Sequence, residues 1–373
     1  MKKCVRIVYS SFLDEDTKKV QVGGIQTYIL NLSSLIRDMG IDVVVYQKSN
    51  TTDFEYILDN GTKVKGKYFV KKKTMYHTVR KLSEYCLSEA NPEDIIVFGN
   101  ETYALPSEIY SIVLQHGIAW DIPEKTHFNT TLNHLYVAKR ALKAYKLTTR
   151  FKGVNKVVCV DYNFVNSYRT QVAYQDVEFD VVPNFSDVPE YKPRDPNNEE
   201  IKIIFARRFF TYRGTRIFAE AVEKLLEKYD NIQVLIAGSG PDEKYLRDKF
   251  IDNNKVKISA FETTDSIKMH SEYDIAVVPT VGSEGTSLSL LEAMASGCAA
   301  IATNVGGMTN IILNEYNGLM INPTADEIFK AIEKLIINPE LREKISKNGY
   351  ETVKNAFSKE RWLNKWREII ENI

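Results

Sequence analysis

Short apolar runs alternate with helix-period stretches along the whole chain, and this alternation restricts the fold more than any other feature. In the first half the runs fall at residues 5–9, 42–46, 94–98, 112–115, 156–160 and 179–182. In the second half they fall at 201–206, 233–237, 255–259, 275–279 and 299–303. Strand-sized runs separated by helices predict parallel sheets covered by helices on both faces. Between the two sets, Pro183, Pro189, Pro193 and Pro196 punctuate a polar stretch that reads as a linker. At 373 residues the chain exceeds a single ordinary core. The expected fold class is α/β, with two Rossmann-like domains facing each other across a cleft. The expected boundaries are 1–183, a linker at 184–200, a second domain at 201–357 and a terminal helix at 358–373.

In such sheets ligands bind beyond the carboxyl ends of the strands. The run at 275–279 is followed by Ser283-Glu284-Gly285-Thr286-Ser287-Leu288, a glycine-marked turn opening a helix. Seven residues separate Glu284, in the turn, from Glu292, past the first helical turn. Between them the amides of Gly285, Thr286, Ser287 and Leu288 carry the positive end of a helix dipole. A bare helix N-terminus attracts phosphate, whereas a carboxylate beside it repels phosphate unless it faces something else. A nucleotide sugar reconciles the two. Its diphosphate would lie on the amides, and its hydroxyl-bearing sugar and ribose on the glutamates.

This segment resembles the retaining glycosyltransferases of family 4 (group 1 type, GT-B fold), whose signature is two glutamates separated by seven residues. The resemblance extends over essentially the whole chain. In that family an arginine after the first strand of the second domain, with a lysine five residues later, neutralises the leaving diphosphate. Aligned on Gly214, the equivalents are Arg208 and Arg213; arginine in place of lysine keeps the charge and gains a bidentate fork. The doubled Arg207-Arg208 leaves the phosphate contact open by one position. The resemblance places the turn holding Gly238 and Gly240 near the nucleotide. It makes the loop holding Gly23 and Gly24 a cover over the donor, and His116, in Gln115-His116-Gly117-Ile118-Ala119-Trp120-Asp121, a contact to the donor sugar. Asn304-Val305-Gly306-Gly307 would line the sugar-phosphate end. The terminal helix, with Trp362 and Trp366 on one face, would cross back onto the first domain; packing on its own domain is the alternative. The chain departs from the commonest pattern where Glu-Gly-Phe-Gly becomes Glu284-Gly285-Thr286-Ser287, which puts a hydroxyl beside the phosphate.

Glycosyl transfer passes through an oxocarbenium-like state as the nucleoside diphosphate departs. Arg208, Arg213 and the helix amides suit the charge that builds on the leaving group. Glu292 would bind the ribose, and Glu284 the sugar hydroxyls. The resemblance implies retention of configuration, with the departing phosphate taking the acceptor's proton, and an acceptor that is a saccharide or a lipid-linked one. A role in cell-surface polysaccharide synthesis, capsule or lipopolysaccharide, follows from family habit. No cofactor or metal is expected, and Asp14-Glu15-Asp16 reads as a solvated acidic turn. A nucleotide-sugar epimerase and a non-catalytic glycosyltransferase-like subunit are the competing functions. A nicotinamide enzyme is disfavoured because the loop at 22–28 lacks a third glycine and no acidic residue ends the second strand.

Formal net charge is zero, so no nucleic acid partner is implied. The four cysteines have neither metal-ligand nor redox spacing. The N-terminus has no signal-peptide core, and no apolar run approaches the roughly 20 residues that span a bilayer. A cytoplasmic protein is expected, with the inner face of the membrane as a further location. Residues 63–81 carry eight basic and no acidic side chains, and 136–156 carry seven and none. In the second stretch Lys139, Lys143, Lys146 and Arg150 are expected on one helical face, opposed by Leu135, Ala138, Leu142 and Tyr145. Such a helix suits an anionic leaflet, and a solvated face is the other reading.

Overall fold

The computed structural model describes residues 3–21, 23–70, 75–118, 131–171, 177–195, 198, 200–260 and 265–373. They fall into two compact units. The first lies within Met1–His116, His127–Val182 and Leu363–Ile373, and the second within Gly117–Thr126 and Pro183–Trp362.

The first unit runs β1 (Cys4–Val8), α1 (Gly24–Asp38), β2 (Asp42–Ser49), β3 (Phe54–Ile57), β4 (Lys63–Tyr68), α2 (Met75–Ser88), β5 (Ile95–Phe98), β6 (Ser111–Gln115), α3 (Thr131–Thr148), β7 (Lys156–Cys159), α4 (Tyr162–Gln171) and β8 (Glu178–Val181). Its eight strands lie in the order β3-β4-β2-β1-β5-β6-β7-β8, parallel throughout except for the β3–β4 pair. Every residue of β5 and β6 is buried, as strands covered on both faces must be. The six runs expected as strands all form, with ends shifted by a few residues.

In the basic stretch at 63–81, Lys63, Lys65 and Lys67 alternate along β4 with the buried Val64 and Gly66. Their ammonium groups pair with Glu55 (2.6 Å), Glu89 (2.7 Å) and Asp53 (2.5 Å). A period of two is a strand signal, and the charge count concealed it. Lys71, Lys72 and Lys73 lie outside the described residues.

The second unit runs β9 (Ile201–Ala206), α5 (Thr215–Lys228), β10 (Ile232–Ala237), α6 (Glu243–Lys249), β11 (Val256–Ser259), α7 (Ser266–His270), β12 (Ile275–Val278), α8 (Leu288–Ala295), β13 (Ala299–Thr303), β14 (Leu319–Ile321), α9 (Ala325–Ile337) and α10 (Pro339–Ala356). The sheet order is β11-β10-β9-β12-β13-β14, parallel throughout. Phe205, Phe209, Phe218, Ile236 and Val277 lie in its core. The α/β class with two parallel-sheet domains agrees with the reading of the sequence.

The proline-rich stretch expected as a linker is held against the second unit. Ser186 donates its N–H to Phe357 O and accepts from Lys359 N, both at 3.0 Å. Tyr350 donates to Pro189 O (2.9 Å), and Arg194 to Ser296 O (3.0 Å). Helix α11 (Lys359–Glu371) closes the chain. Its two tryptophans serve different units: Trp362 packs beside Phe185 at 4.5 Å between ring centroids, while Trp366 donates its indole N–H to Tyr28 of α1 at 2.7 Å.

Candidate functional site

In the second sheet the strand numbering descends to β9 and then jumps to β12. Such a reversal is the switch point at which open α/β sheets bind ligands. The loop after β9 carries Arg207, Arg208 and Arg213, and the loop after β12 carries Thr280 and Glu284. Arg207 donates to Glu284 at 2.5 Å and also to the Thr280 hydroxyl. Arg213 donates to the same glutamate and to Ser283 O (3.3 Å), and Thr280 donates to Glu284 at 2.8 Å. All three bonds to the carboxylate converge on Oε2, which leaves Oε1 facing no partner among the described residues. Burial alone would push the Glu284 pKa up, but the two guanidinium groups hold it below the ordinary carboxylate value. Two cations and one anion leave this buried cluster with a net positive charge.

The backbone around the cluster is closely fitted. Ser283 has φ 59°, a left-handed conformation uncommon outside glycine; strain of this kind gathers at ligand sites. Gly307 donates to Glu284 O at 3.0 Å, and a Cβ on Gly306 (φ +56°) would lie 2.0 Å from that same oxygen. The loop expected to line the sugar-phosphate end therefore seats the first glutamate. Gly238, with φ +150°, likewise packs on Arg207 O, where a Cβ would come within 1.9 Å. Gly240 packs on Phe209 O. These two glycines, expected at the nucleotide, position the arginine loop.

Arg208, expected with Arg213 at the diphosphate, stands apart from the glutamate cluster. Glycine alignment paired it with Arg213, yet Arg207 is the arginine that meets Glu284. The chain bends at Arg207, directly after β9. Arg207 turns inward, while Arg208 is exposed with its guanidinium 5.5 Å from the Phe210 ring centre.

Helix α8 carries the second half of the motif. Gly285 and Thr286 are buried, Leu288 is its first residue, and Asn184 donates to Thr286 O at 2.6 Å. Ser287 is the N-cap residue in an extended conformation, yet its hydroxyl makes no cap bond. It is 1% exposed, and its Oγ has no partner among the described residues. A buried hydroxyl left unpaired costs about 1–3 kcal/mol, so native structures seldom keep one without a use. Further along, Glu292 accepts from the Ser266 hydroxyl at 2.6 Å. Burial pushes its pKa up to about 7, which the Ser266 bond opposes and the Asp187 charge assists. The Ser266 carbonyl is 2.8 Å from Nδ1 of His270, which burial holds neutral with a pKa of about 4.

Gly23, Gly24 and His116 belong to the first unit. His116 follows β6, edge-on to Tyr28 with 5.1 Å between ring centroids. Burial lowers its pKa to about 4 against the effect of a hydrogen bond with the Gly99 backbone. Its Nε2 is buried with no partner among the described residues. Gly23 is the N-cap of α1 with φ 171°, ordinary extended backbone, and Gly24 is the first helical residue. Val22, Ala119, Trp120 and Asp121 lie outside the described residues. In the acidic turn, Asp14 accepts from Thr17 N (2.8 Å), and Glu15 accepts from Asn50 N (2.8 Å).

Sequence reasoning missed Arg207 as the glutamate's partner, and with it Thr280, Ser266 and Asn184. Only Thr280 had a usable signal, a hydroxyl just past a strand's carboxyl end. Asn184 and Ser266 reach the site through tertiary packing.

Residues 188–352 match the family model described as glycosyl transferases group 1. Among curated proteins, an uncharacterised glycosyltransferase of Methanocaldococcus jannaschii is 27% identical over 234 residues, covering 60% of this chain and 58% of its own. A capsular polysaccharide biosynthesis glycosyltransferase of Staphylococcus aureus is 27% identical over 165 residues, 43% of each chain. The chain thus spans about half the length of these relatives. Among solved structures, Anabaena HepE in complex with UDP and glucose matches with a TM-score of 0.73 and 14% identity, covering 100% of both chains. The chain shares its fold with this structure, and its residues 188–352 share the pattern of the group 1 glycosyl transferases. Among the described residues no helix is long and apolar enough to cross a membrane.

Proposed function

We propose that this chain, whose second unit carries a group 1 glycosyltransferase domain, is a retaining hexosyltransferase. It would move a sugar from a nucleoside diphosphate to a saccharide or lipid-linked acceptor in cell-surface polysaccharide synthesis. The observation that carries the reading is the Arg207–Glu284–Arg213 cluster at the switch point, together with the orphaned Ser287 hydroxyl at the N-cap of α8. The donor diphosphate lies on the α8 N-terminal amides and receives the Ser287 hydroxyl. Arg213 and the exposed Arg208 stabilise the charge that develops as it leaves. Glu284, an anion fixed through Oε2, offers Oε1 to the sugar hydroxyls and holds the donor in a reactive pose. Glu292 accepts from the ribose. His116, neutral because it is buried, hydrogen-bonds the donor sugar through Nε2. The C–O bond to the diphosphate breaks, the acceptor oxygen bonds to the anomeric carbon on the same face, and the acceptor's proton passes to the departing phosphate. No resident metal is invoked, since arginines and amides supply the positive charge.

The reading is tested by calorimetry against UDP-, GDP-, ADP- and dTDP-sugars, with Glu292→Ala in parallel. Selective binding of one nucleotide, weakened in the variant, is expected. A folded protein that binds none of the four overturns it. Retention is checked separately, from the anomeric configuration of the product by NMR.

A further inference from the structure

Helices α7 and α8 of the second unit meet at Glu292. Helix α7 is little more than one turn, and Ser266 at its start and His270 at its end are both 2% exposed. It is pinned to the segment that ends α8. Ser296 donates its hydroxyl to Ile267 O at 3.1 Å, and Cys298 its thiol to His270 O at 3.1 Å. The Ser266 hydroxyl is thereby held 2.6 Å from Oε2 of Glu292, whereas Oε1 has no hydrogen-bond partner among the described residues.

The proton of that hydroxyl has one direction open to it. His270 Nδ1 lies 2.8 Å from Ser266 O, and a carbonyl only accepts, so Nδ1 carries the proton of the neutral ring. A protonated Nδ1 cannot accept from the Ser266 hydroxyl, 3.3 Å away. The hydroxyl proton therefore goes to Glu292 Oε2, where it favours the ionised carboxylate. Asp187 opposes it, since its charge disfavours ionisation; its own carboxylate lies 3.8 Å from the Lys359 ammonium.

We propose that Ser266 is a positioning residue of the donor site: its hydroxyl, aimed by His270, fixes Oε2 of Glu292 and leaves Oε1 to accept from the ribose. The role of Glu292 rests on the transferase reading; the control of its carboxyl by Ser266 does not.

Two measurements on the full chain test this with Ser266→Ala and Ser266→Thr, circular dichroism and melting confirming that both fold. The first needs no ligand. Carbon NMR of glutamate-labelled protein follows the Glu292 carboxyl, with Glu292→Gln assigning its signal. Ser266→Ala should raise the midpoint from about 7 by about one unit, and Ser266→Thr, which keeps the hydroxyl, should restore it. The second is calorimetry against UDP-, GDP-, ADP- and dTDP-sugars. A one-unit rise makes Ser266→Ala bind about tenfold more weakly than the native chain at about pH 6, but less than about twofold more weakly at about pH 8. A packing defect would weaken binding equally at both. An unmoved midpoint, or a deficit that is the same at both pH values and that threonine does not rescue, overturns the proposal. A raised midpoint in a protein that binds none of the four nucleotides would sink the transferase reading and leave the Ser266 contact standing. An unmoved midpoint beside selective nucleotide binding would sink the Ser266 assignment alone.

Discussion

Glu292 offers the sharpest test of the donor site because its protonation and its proposed ligand are opposed. Burial places its pKa at about 7 in the unliganded protein. Ribose hydroxyls that donate to it favour the ionised carboxylate, so binding below that pH must first expel a proton. The apparent dissociation constant then scales as one plus ten to the power of the pKa minus the pH. That factor is about 1.1 at about pH 8 and about 11 at about pH 6, a weakening of about tenfold, with close to one proton released at the lower pH. The assay is calorimetry of an intact nucleotide sugar across this range in buffers of unequal ionisation enthalpy. The intact sugar matters because a free terminal phosphate titrates near 6 itself. Stability runs the opposite way. The folded pKa of about 7 lies above the ordinary 4.5, so the folded state holds the extra proton between them. The stabilisation is full below 4.5 and falls by up to about 3 kcal/mol as pH rises through 7. Glu292→Gln should flatten both profiles. Affinity that stays constant from about pH 6 to about pH 8, or a Gln variant that keeps the native slope, would refute the assignment.

Three further outcomes follow from the same geometry. Glu284→Ala leaves the buried Arg207 and the half-buried Arg213 without a counter-charge, and denaturant unfolding should show a loss of about 3 kcal/mol; a loss under about 1 kcal/mol would mean the cluster is solvated. Gly306→Ala sets a Cβ 2.0 Å from Glu284 O, whereas Gly40, also left-handed at φ +77°, has nothing within 4 Å. Both alanine variants should melt lower, but only Gly306→Ala should also lose nucleotide-sugar affinity, by tenfold or more on the binding isotherm, and equal affinities would undo the claim. His116 and His270 each titrate at about 4 against an ordinary 6.5. The unfolded chain binds more protons in that window, so stability should rise with pH across it by up to about 1.4 kcal/mol per pH unit for each histidine. Acid melts of His270→Gln should show a shallower slope, and an unchanged slope would deny its part.

The α/β class and the glutamate motif were legible because both are written locally. A strand buried on both faces needs a run of apolar residues, and a turn opening a helix needs its glycine and its spacing, whatever lies elsewhere. β3 escaped notice because an edge strand need not be apolar throughout, β14 because three residues fall short of a strand-sized run, and β4 because its lysines hid its alternation. Only the structure shows that Gly238 and Gly306 seat the backbones of Arg207 and Glu284.

Sequence alone determined the layered α/β architecture, the carboxylate pair and the cations after β9, since each depends on residues close together in the chain. Tertiary structure alone decided which arginine turns inward and that Ser266 holds Glu292. The Arg207–Glu284 bond joins residues 77 positions apart, and the Ser266–Glu292 bond joins residues 26 apart. Partners so distant are chosen by strand order and by which side of a helix is covered, and neither is recorded in any local stretch of chain.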